Sequence, residues 1–191
     1  MSRPGDEGRA RLNDAAPAAA AKVLVISRAI MRRTHEYFTP YREAGVETAC
    51  FWFGVDAGDA QVATTVAAPK LFQTFDNYMV EMGSMRRLSA AMRAHGLTNL
   101  AQVHTHPSDW VDHSTWDDER AYSTREGAVS IVWPDYGLGL AHDLRGLGVH
   151  ERRGGEWVRL DARDAAARVR LVDDFADHRW QIEHGRIRDE E

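Results

Sequence analysis

The sequence has one cysteine among 191 residues, so it cannot form an internal disulfide or a cysteine-rich structural zinc site. It also lacks any run close to the roughly 18 apolar residues that a membrane span requires. An excess of basic residues is missing too, because 29 acids outweigh 24 Lys and Arg and the net charge is −5. These absences argue against a disulfide scaffold, a membrane protein and a dedicated nucleic-acid binder. The cysteine usage favours a reducing compartment, and we expect a cytoplasmic protein.

The length fits one domain of ordinary size with extensions at both ends. The alanine-rich stretch 1–20 contains acids and no leucine-rich core, so we predict a disordered tail there and not a signal peptide. We place the main domain at 21–160. Apolar residues recur at helical spacing after it, which predicts a C-terminal amphipathic helix within 161–191.

Hydrophobic patterning predicts strands that alternate with helices, typical of a mixed α/β layer architecture. Helices are expected after Ser27, from about Asp76 to His95, and after Ser114. Strands are expected at 23–26, 47–55, 61–68, 100–104, 128–133 and 157–160.

The segment His104-Thr105-His106-Pro107 follows a predicted strand and carries two histidines at alternate positions. Side chains at i and i+2 of an extended segment point to the same face, so both imidazoles can bind one ion. A catalytic zinc takes three protein ligands and leaves one position open, so a third ligand is still required. Asp117, in the segment Ser114-Thr115-Trp116-Asp117, is our candidate.

Each of these features also has a simpler interpretation. Ser114-x-x-Asp117 is typical of a helix N-cap, with an acid favoured by the helix dipole, and both interpretations can hold at once. An isolated His-x-His pair is usually two polar loop residues. His113 is an alternative third ligand, although its polar loop predicts a solvated side chain.

Glu47 opens a dense apolar run that ends at Gly54, which predicts a carboxylate at the end of a buried strand. Buried glutamates are rare without a task. Beside a cation, such a carboxylate can act as general base on a water molecule, the role that two histidines and an aspartate leave unfilled.

Glu47, His104-x-His106-Pro107 and Ser114-x-x-Asp117 together resemble the JAMM motif of the JAB/MPN zinc metalloproteases, especially their prokaryotic branch. The resemblance spans about residues 21–160. It implies a curved mixed β-sheet flanked by helices and zinc-assisted amide hydrolysis. In that mechanism His104, His106 and Asp117 hold Zn²⁺, Glu47 transfers protons, and Ser114 donates to the oxyanion. The departures from the motif are Thr105 for serine, Cys50 for glycine and a bulky Trp52.

The resemblance also implies a substrate class, namely a ubiquitin-like protein whose extended C-terminal tail enters the site. Either deconjugation from lysine or processing of a linear precursor fits, and conjugating enzymes of the same operon would be further partners. Trimming of a small sulfur-carrier protein stays open as an alternative. A scaffold that has lost its metal is a second alternative, but the retained motif residues argue against it.

Overall fold

The computed structural model describes residues 22–139 and 143–174, together with the backbone of two short strands near the C-terminus. The predicted N-terminal tail lies outside the described residues, as does part of the segment predicted as the C-terminal helix. The helices are α1 (Arg28–Glu43), α2 (Met82–Ala94), α3 (Thr115–Arg120) and α4 (Ala162–Arg168). The strands are β1 (Val23–Ser27), β2 (Ala49–Asp56), β3 (Ala60–Ala67), β4 (Leu71–Thr74), β5 (Asn77–Val80), β6 (Thr98–Thr105), β7 (Val129–Trp133), β8 (Gly148–Arg153), β9 (Glu156–Arg159), β10 (Val169–Val172), β11 (Ile182–Glu183) and β12 (Arg186–Ile187).

Eight strands form one mixed sheet in the order β10-β1-β3-β2-β6-β7-β8-β9, while β4 and β5 form a separate hairpin. The pairs β10/β1, β1/β3 and β6/β7 are parallel, and the remaining pairs of the large sheet are antiparallel. The predicted fold class, a mixed sheet flanked by helices, is therefore confirmed. No helix in the described part of the chain is long and apolar enough to cross a bilayer.

The central strand β2 is buried on both faces, which explains its continuous apolar sequence. Its Trp52 faces α1, where the indole Nε1 donates to Thr34 Oγ1 at 2.8 Å. Phe51 and Phe53 point the other way and pack with Met85 of α2. The bulky Trp52, one of the departures from the motif, is thus fully buried in the core with its one donor satisfied.

The predicted helix from Asp76 to His95 is wrong over its first residues, because Asn77–Val80 is a strand and α2 begins at Met82. In the hairpin, Tyr78 is buried while its neighbour Met79 is exposed, which is the two-residue alternation of a strand. Glu81 caps α2 by accepting from two backbone amides, a role that stops the helix from extending backwards.

The predicted C-terminal helix is also wrong beyond Arg168, where the described chain turns into strand β10 and pairs with β1. Val169 is buried in the main core, so packing against the sheet overrides the helical spacing of the apolar residues. The Arg168 guanidinium is buried, bonds the Glu151 carboxylate and donates to the Gly127 carbonyl at 2.8 Å. The segment after residue 160 therefore completes the large sheet. The rest of the predicted helix lies outside the described residues, apart from β11 and β12, which pair as antiparallel strands.

Candidate metal centre

The two histidines lie at the end of β6, between its partners β2 and β7. His104 pairs with Ala49 of β2 and with Val132 of β7, and His106 follows directly after the strand. Asp117 lies in the first turn of α3. Glu47 lies two residues before β2 and does not open the strand as predicted. It is next to the same end of β6, because Thr105 N donates to the carbonyl oxygen of the adjacent Thr48 at 3.0 Å. The sheet thus brings chain segments about 60 residues apart in sequence to one edge.

The predicted ligand atoms of His104, His106 and Asp117 all lie within 4.8 Å of one another. His104 Nε2 is 3.3 Å from Asp117 Oδ1, and His106 Nε2 is 3.3 Å from Asp117 Oδ2. Two atoms that each bind a tetrahedral zinc at about 2.05 Å lie about 3.3 Å apart. Each histidine therefore lies at a distance from one Asp117 oxygen that suits two ligands of one small ion, with His104 facing Oδ1 and His106 facing Oδ2.

His104 carries the clearest sign that a group belongs here. Its side chain is fully buried, and neither ring nitrogen has a hydrogen-bond partner. A buried imidazole without partners is costly, and a metal ion removes that cost by binding a ring nitrogen. Neutral imidazole nitrogens with one carboxylate are also a donor set that suits zinc.

His106 is held in the tautomer that a metal ligand requires. Its Nδ1 lies 2.9 Å from the carbonyl oxygen of Trp110, so Nδ1 carries the proton and donates it to that carbonyl. Nε2, which lies 3.3 Å from Asp117 Oδ2, is then the ring nitrogen that remains to bind an ion. The indole of Trp110 stacks on the imidazole with a centroid distance of 5.1 Å and an angle of 21°. Burial lowers the pKa of His106, but bonding to Asp117 outweighs it and the net shift is upward.

Asp117 is aimed by a capping box in which Ser114 is the N-cap of α3. Ser114 donates to Asp117 Oδ2 both from its backbone N, at 2.8 Å, and from Oγ, at 2.6 Å. Asp117 N donates in return to Ser114 Oγ at 3.1 Å. Burial opposes ionisation of Asp117, but the nearby imidazoles of His104 and His106 and the hydrogen bonds from Ser114 hold its pKa well below the ordinary range. The carboxylate is thus ionised and oriented, as a metal ligand must be.

Glu47 is 5 % exposed and lies beside this group without joining it. Its backbone N donates to the Thr74 carbonyl at 2.9 Å, which joins Glu47 to the tip of the β4/β5 hairpin. Burial raises the pKa of Glu47 to about 8; His106 opposes this shift, and Asp117 adds to it. A carboxyl group that titrates near neutral pH can both accept and return a proton.

His113, the alternative third ligand, is buried and not solvated as the sequence predicted. Its Nδ1 lies 2.9 Å from Asp118 Oδ1 and its Nε2 lies 2.9 Å from Ser130 Oγ. Its ring stacks on His150 with a centroid distance of 3.9 Å. Both nitrogens are therefore engaged, which leaves His113 no free atom with which to replace Asp117.

Sequence reasoning missed the residues that pack around the ligands. The Tyr78 ring lies 5.5 Å from the His104 ring, and its hydroxyl accepts from Gln102 Nε2 at 2.6 Å. Gln102 Oε1 in turn accepts from the backbone N of Tyr122 at 3.0 Å, just beyond α3. Gln102 stands two residues before His104, so strand periodicity was a usable signal for it. Tyr78 gave no such signal, because its segment was assigned to a helix.

Comparison with known proteins shows no matching family model. The chain is 35 % identical over 98 residues to the probable metalloprotease y4jG of Sinorhizobium fredii, which covers 49 % of this chain and 60 % of that protein. The chain thus spans less than two thirds of this relative. The relative confirms the metalloprotease similarity that the motif predicts.

Among solved structures, protein DSY2949 of Desulfitobacterium hafniense superposes with a TM-score of 0.56 at 16 % identity, over 82 % of this chain and 97 % of that one. The two chains share a fold. A JAB1/MPN domain protein of Archaeoglobus fulgidus, AF2198, superposes with a TM-score of 0.40 at 18 % identity, over 73 % and 96 % of the two chains.

Proposed function

We propose that this protein is a zinc-dependent peptidase of the JAB/MPN type that cleaves the amide bond after the C-terminus of a ubiquitin-like protein. The observation that carries the proposal is the buried group of His104, His106 and Asp117, spaced for one ion, with Glu47 beside it. The metalloprotease similarity of the S. fredii relative supports the reaction class. The choice of zinc rests on the donor set of two imidazoles and one carboxylate.

Zinc, when bound, supplies Lewis acidity that lowers the pKa of a water molecule and polarises a carbonyl group. Glu47 accepts the proton of the attacking water on its carboxylate and passes it to the leaving amine, a role worth about 10²–10⁴ in rate. Burial raises the pKa of Glu47 to about 8, which suits a group that must both accept and return a proton.

Ser114 is suited to stabilise the oxyanion of the tetrahedral intermediate. Its hydroxyl donates to Asp117 Oδ2, and rotation about the C–O bond redirects that proton toward a substrate oxygen. Asp117 does not lose its orientation in the process, because the backbone N of Ser114 still donates to the same oxygen. The main chain therefore holds the ligand while the side chain is released for the reaction.

The substrate proposal is supported by the surface next to Glu47. The β4/β5 hairpin is a two-stranded sheet, and its tip is bonded to Glu47 through Thr74. Phe72 and Phe75 of the hairpin are more than half exposed, and Met79 is nearly half exposed. Open strand edges bind extended peptides by main-chain pairing, and apolar side chains beside them contact the tail. A flexible ubiquitin-like C-terminus fits this surface better than a folded loop.

The metal is tested by elemental analysis of the purified protein. We expect one zinc per chain in the wild type and a loss of stoichiometric zinc in His104→Ala and in His106→Ala. Retention of full zinc by either variant would remove the proposed site.

The reaction is tested with zinc-loaded enzyme and ubiquitin-like proteins of the same genome, either extended at the C-terminus or conjugated to lysine, with products identified by mass spectrometry. We expect cleavage after the terminal glycine that a chelator stops. Glu47→Gln should keep zinc and lose activity, whereas the matched control Glu43→Gln, on the exposed end of α1, should keep both.

The products separate the candidate activities. Release of the lysine partner supports deconjugation, and loss of a short extension alone supports precursor processing or trimming of a sulfur carrier. Full activity of Glu47→Gln would refute the assignment of the base, and no cleavage of any such protein by zinc-loaded enzyme would refute the substrate class.

A further inference from the structure

The turn after β7 contains two consecutive non-glycine residues in the left-handed region, Asp135 with φ 50° and Tyr136 with φ 53°. Among the described residues these are the two that combine positive φ with a side chain beyond glycine. Such conformations cost free energy, and they persist where the surrounding structure enforces them, often next to functional sites.

Hydrogen bonds to the metal-ligand loop enforce this conformation. Tyr136 N donates to the carbonyl oxygen of His106 at 2.7 Å, and Asp135 N donates to Ser108 O at 2.9 Å. The following Gly137 accepts from Arg42 of α1 at 2.9 Å. The turn is therefore attached on one side to a ligand residue and on the other to a core helix.

The left-handed turn directs the Tyr136 side chain to the hairpin. Its hydroxyl donates to the Phe75 carbonyl, at the tip between β4 and β5, with a distance of 2.7 Å. The carbonyl oxygen of the neighbouring Thr74 accepts a hydrogen bond from the backbone N of Glu47 at 2.9 Å. Two adjacent carbonyls of the hairpin tip thus join Tyr136 and Glu47.

These bonds form a continuous connection from His106 through Tyr136, Phe75 and Thr74 to Glu47. Two other side-chain bonds connect the hairpin to its surroundings: Gln73 donates to Thr48, just before β2, and Gln102 of β6 donates to Tyr78. The Tyr136 bond differs from these because it starts from the loop that holds a metal ligand. It fixes the hairpin tip relative to the metal.

We infer that Tyr136 is a positioning residue for the general base: by holding the hairpin tip, it sets the place of Glu47 relative to His106. The inference rests on the proposed function of Glu47. Tyr136 itself need not touch the substrate, since its hydroxyl is already bonded to the main chain. The positive φ values of residues 135 and 136 support this inference, because a surface tyrosine without a structural role would not require a strained backbone.

The test compares Tyr136→Phe, which removes only the hydroxyl, with Asp135→Asn, which keeps it and places a residue tolerant of the left-handed region in the turn. In zinc-loaded Tyr136→Phe we expect kcat to fall up to about tenfold, the equivalent of one hydrogen bond, with KM and zinc content unchanged. Exchange of the Glu47 amide, followed by NMR, should become faster. Asp135→Asn should match the wild type in all three measurements.

Two results would overturn the inference. One is a Tyr136→Phe variant with wild-type kcat and wild-type exchange of the Glu47 amide. The other is a raised KM with unchanged kcat, which would make the hydroxyl a substrate contact. Failure of the proposed function looks different, because it appears as activity retained in Glu47→Gln. Activity retained in Glu47→Gln would therefore also refute the positioning role of Tyr136 in catalysis. Exchange of the Glu47 amide would still show whether Tyr136 holds the hairpin.

Discussion

The pKa of Glu47 leads to a quantitative prediction for the metal-free protein. Burial raises this pKa from 4.5 to about 8 in the folded state. Between these values the folded chain binds a proton that the unfolded chain releases, so the free energy of unfolding falls as pH rises. One pH unit in this window is worth about 1.4 kcal/mol. From about pH 5 to about pH 7 we expect a loss of about 2–3 kcal/mol from Glu47 alone.

The measurement is urea unfolding of wild type and Glu47→Gln in the presence of a chelator across this pH range. Glutamine has nearly the same shape and does not titrate, so the difference between the two proteins reports on Glu47 together with its electrostatic coupling to His106 and Asp117. As pH rises over this interval, we expect the free energy of unfolding of the variant to increase relative to that of the wild type by about 2–3 kcal/mol. A difference in unfolding free energy that stays constant with pH would show that the pKa of Glu47 is not raised in the folded protein.

Zinc provides the internal control for this experiment. A cation next to the carboxylate favours its charged form and lowers its pKa. With zinc bound, the pH dependence of the difference should therefore shrink or disappear. A difference with the same slope in both states would place Glu47 too far from the ion to act on a water molecule there.

Two further predictions concern residues on either side of the site. Ser114→Ala should keep zinc, because backbone bonds still orient Asp117, yet lower kcat by about 10²-fold; unchanged kcat in steady-state kinetics would remove its role at the oxyanion. Arg168→Met should cost about 2–3 kcal/mol in chemical denaturation, since it removes one of the two arginines that bond the buried Glu151 carboxylate and leaves only Arg153, and the double variant with Glu151→Met should recover part of the loss. A double variant less stable than Arg168→Met would contradict this account.

Much of the site followed from local sequence rules. The spacing of His104 and His106 puts both on one face of an extended segment, and the four-residue frame from Ser114 to Asp117 is a helix start whose geometry is local. The geometry of each segment could be predicted because each adopts it with little help from the rest of the chain. Their roles as ligands remain predictions until zinc is measured.

Residues that depend on contacts across the sheet were harder to predict. His113 resembled a solvated loop residue, yet Ser130 of β7 and His150 of β8 enclose it. The segment 77–80 has a composition compatible with a helix, but pairing with β4 makes it a strand. The same holds for Val169–Val172, which pairs with β1 from the other end of the chain.

The sequence by itself determined the chemistry that this protein presents: two imidazoles, a carboxylate, a capped serine and a glutamate before an apolar strand. Only the tertiary structure decided how these groups are tuned. Burial of Glu47 raises its pKa, the Trp110 carbonyl selects the His106 tautomer, and a strained turn aims Tyr136 at the hairpin. The burial of Glu47 and the bond from Tyr136 to Phe75 involve atoms distant in sequence, and the Trp110 carbonyl reaches His106 only through the folded shape of its loop. Short-range propensities contain no information about such contacts.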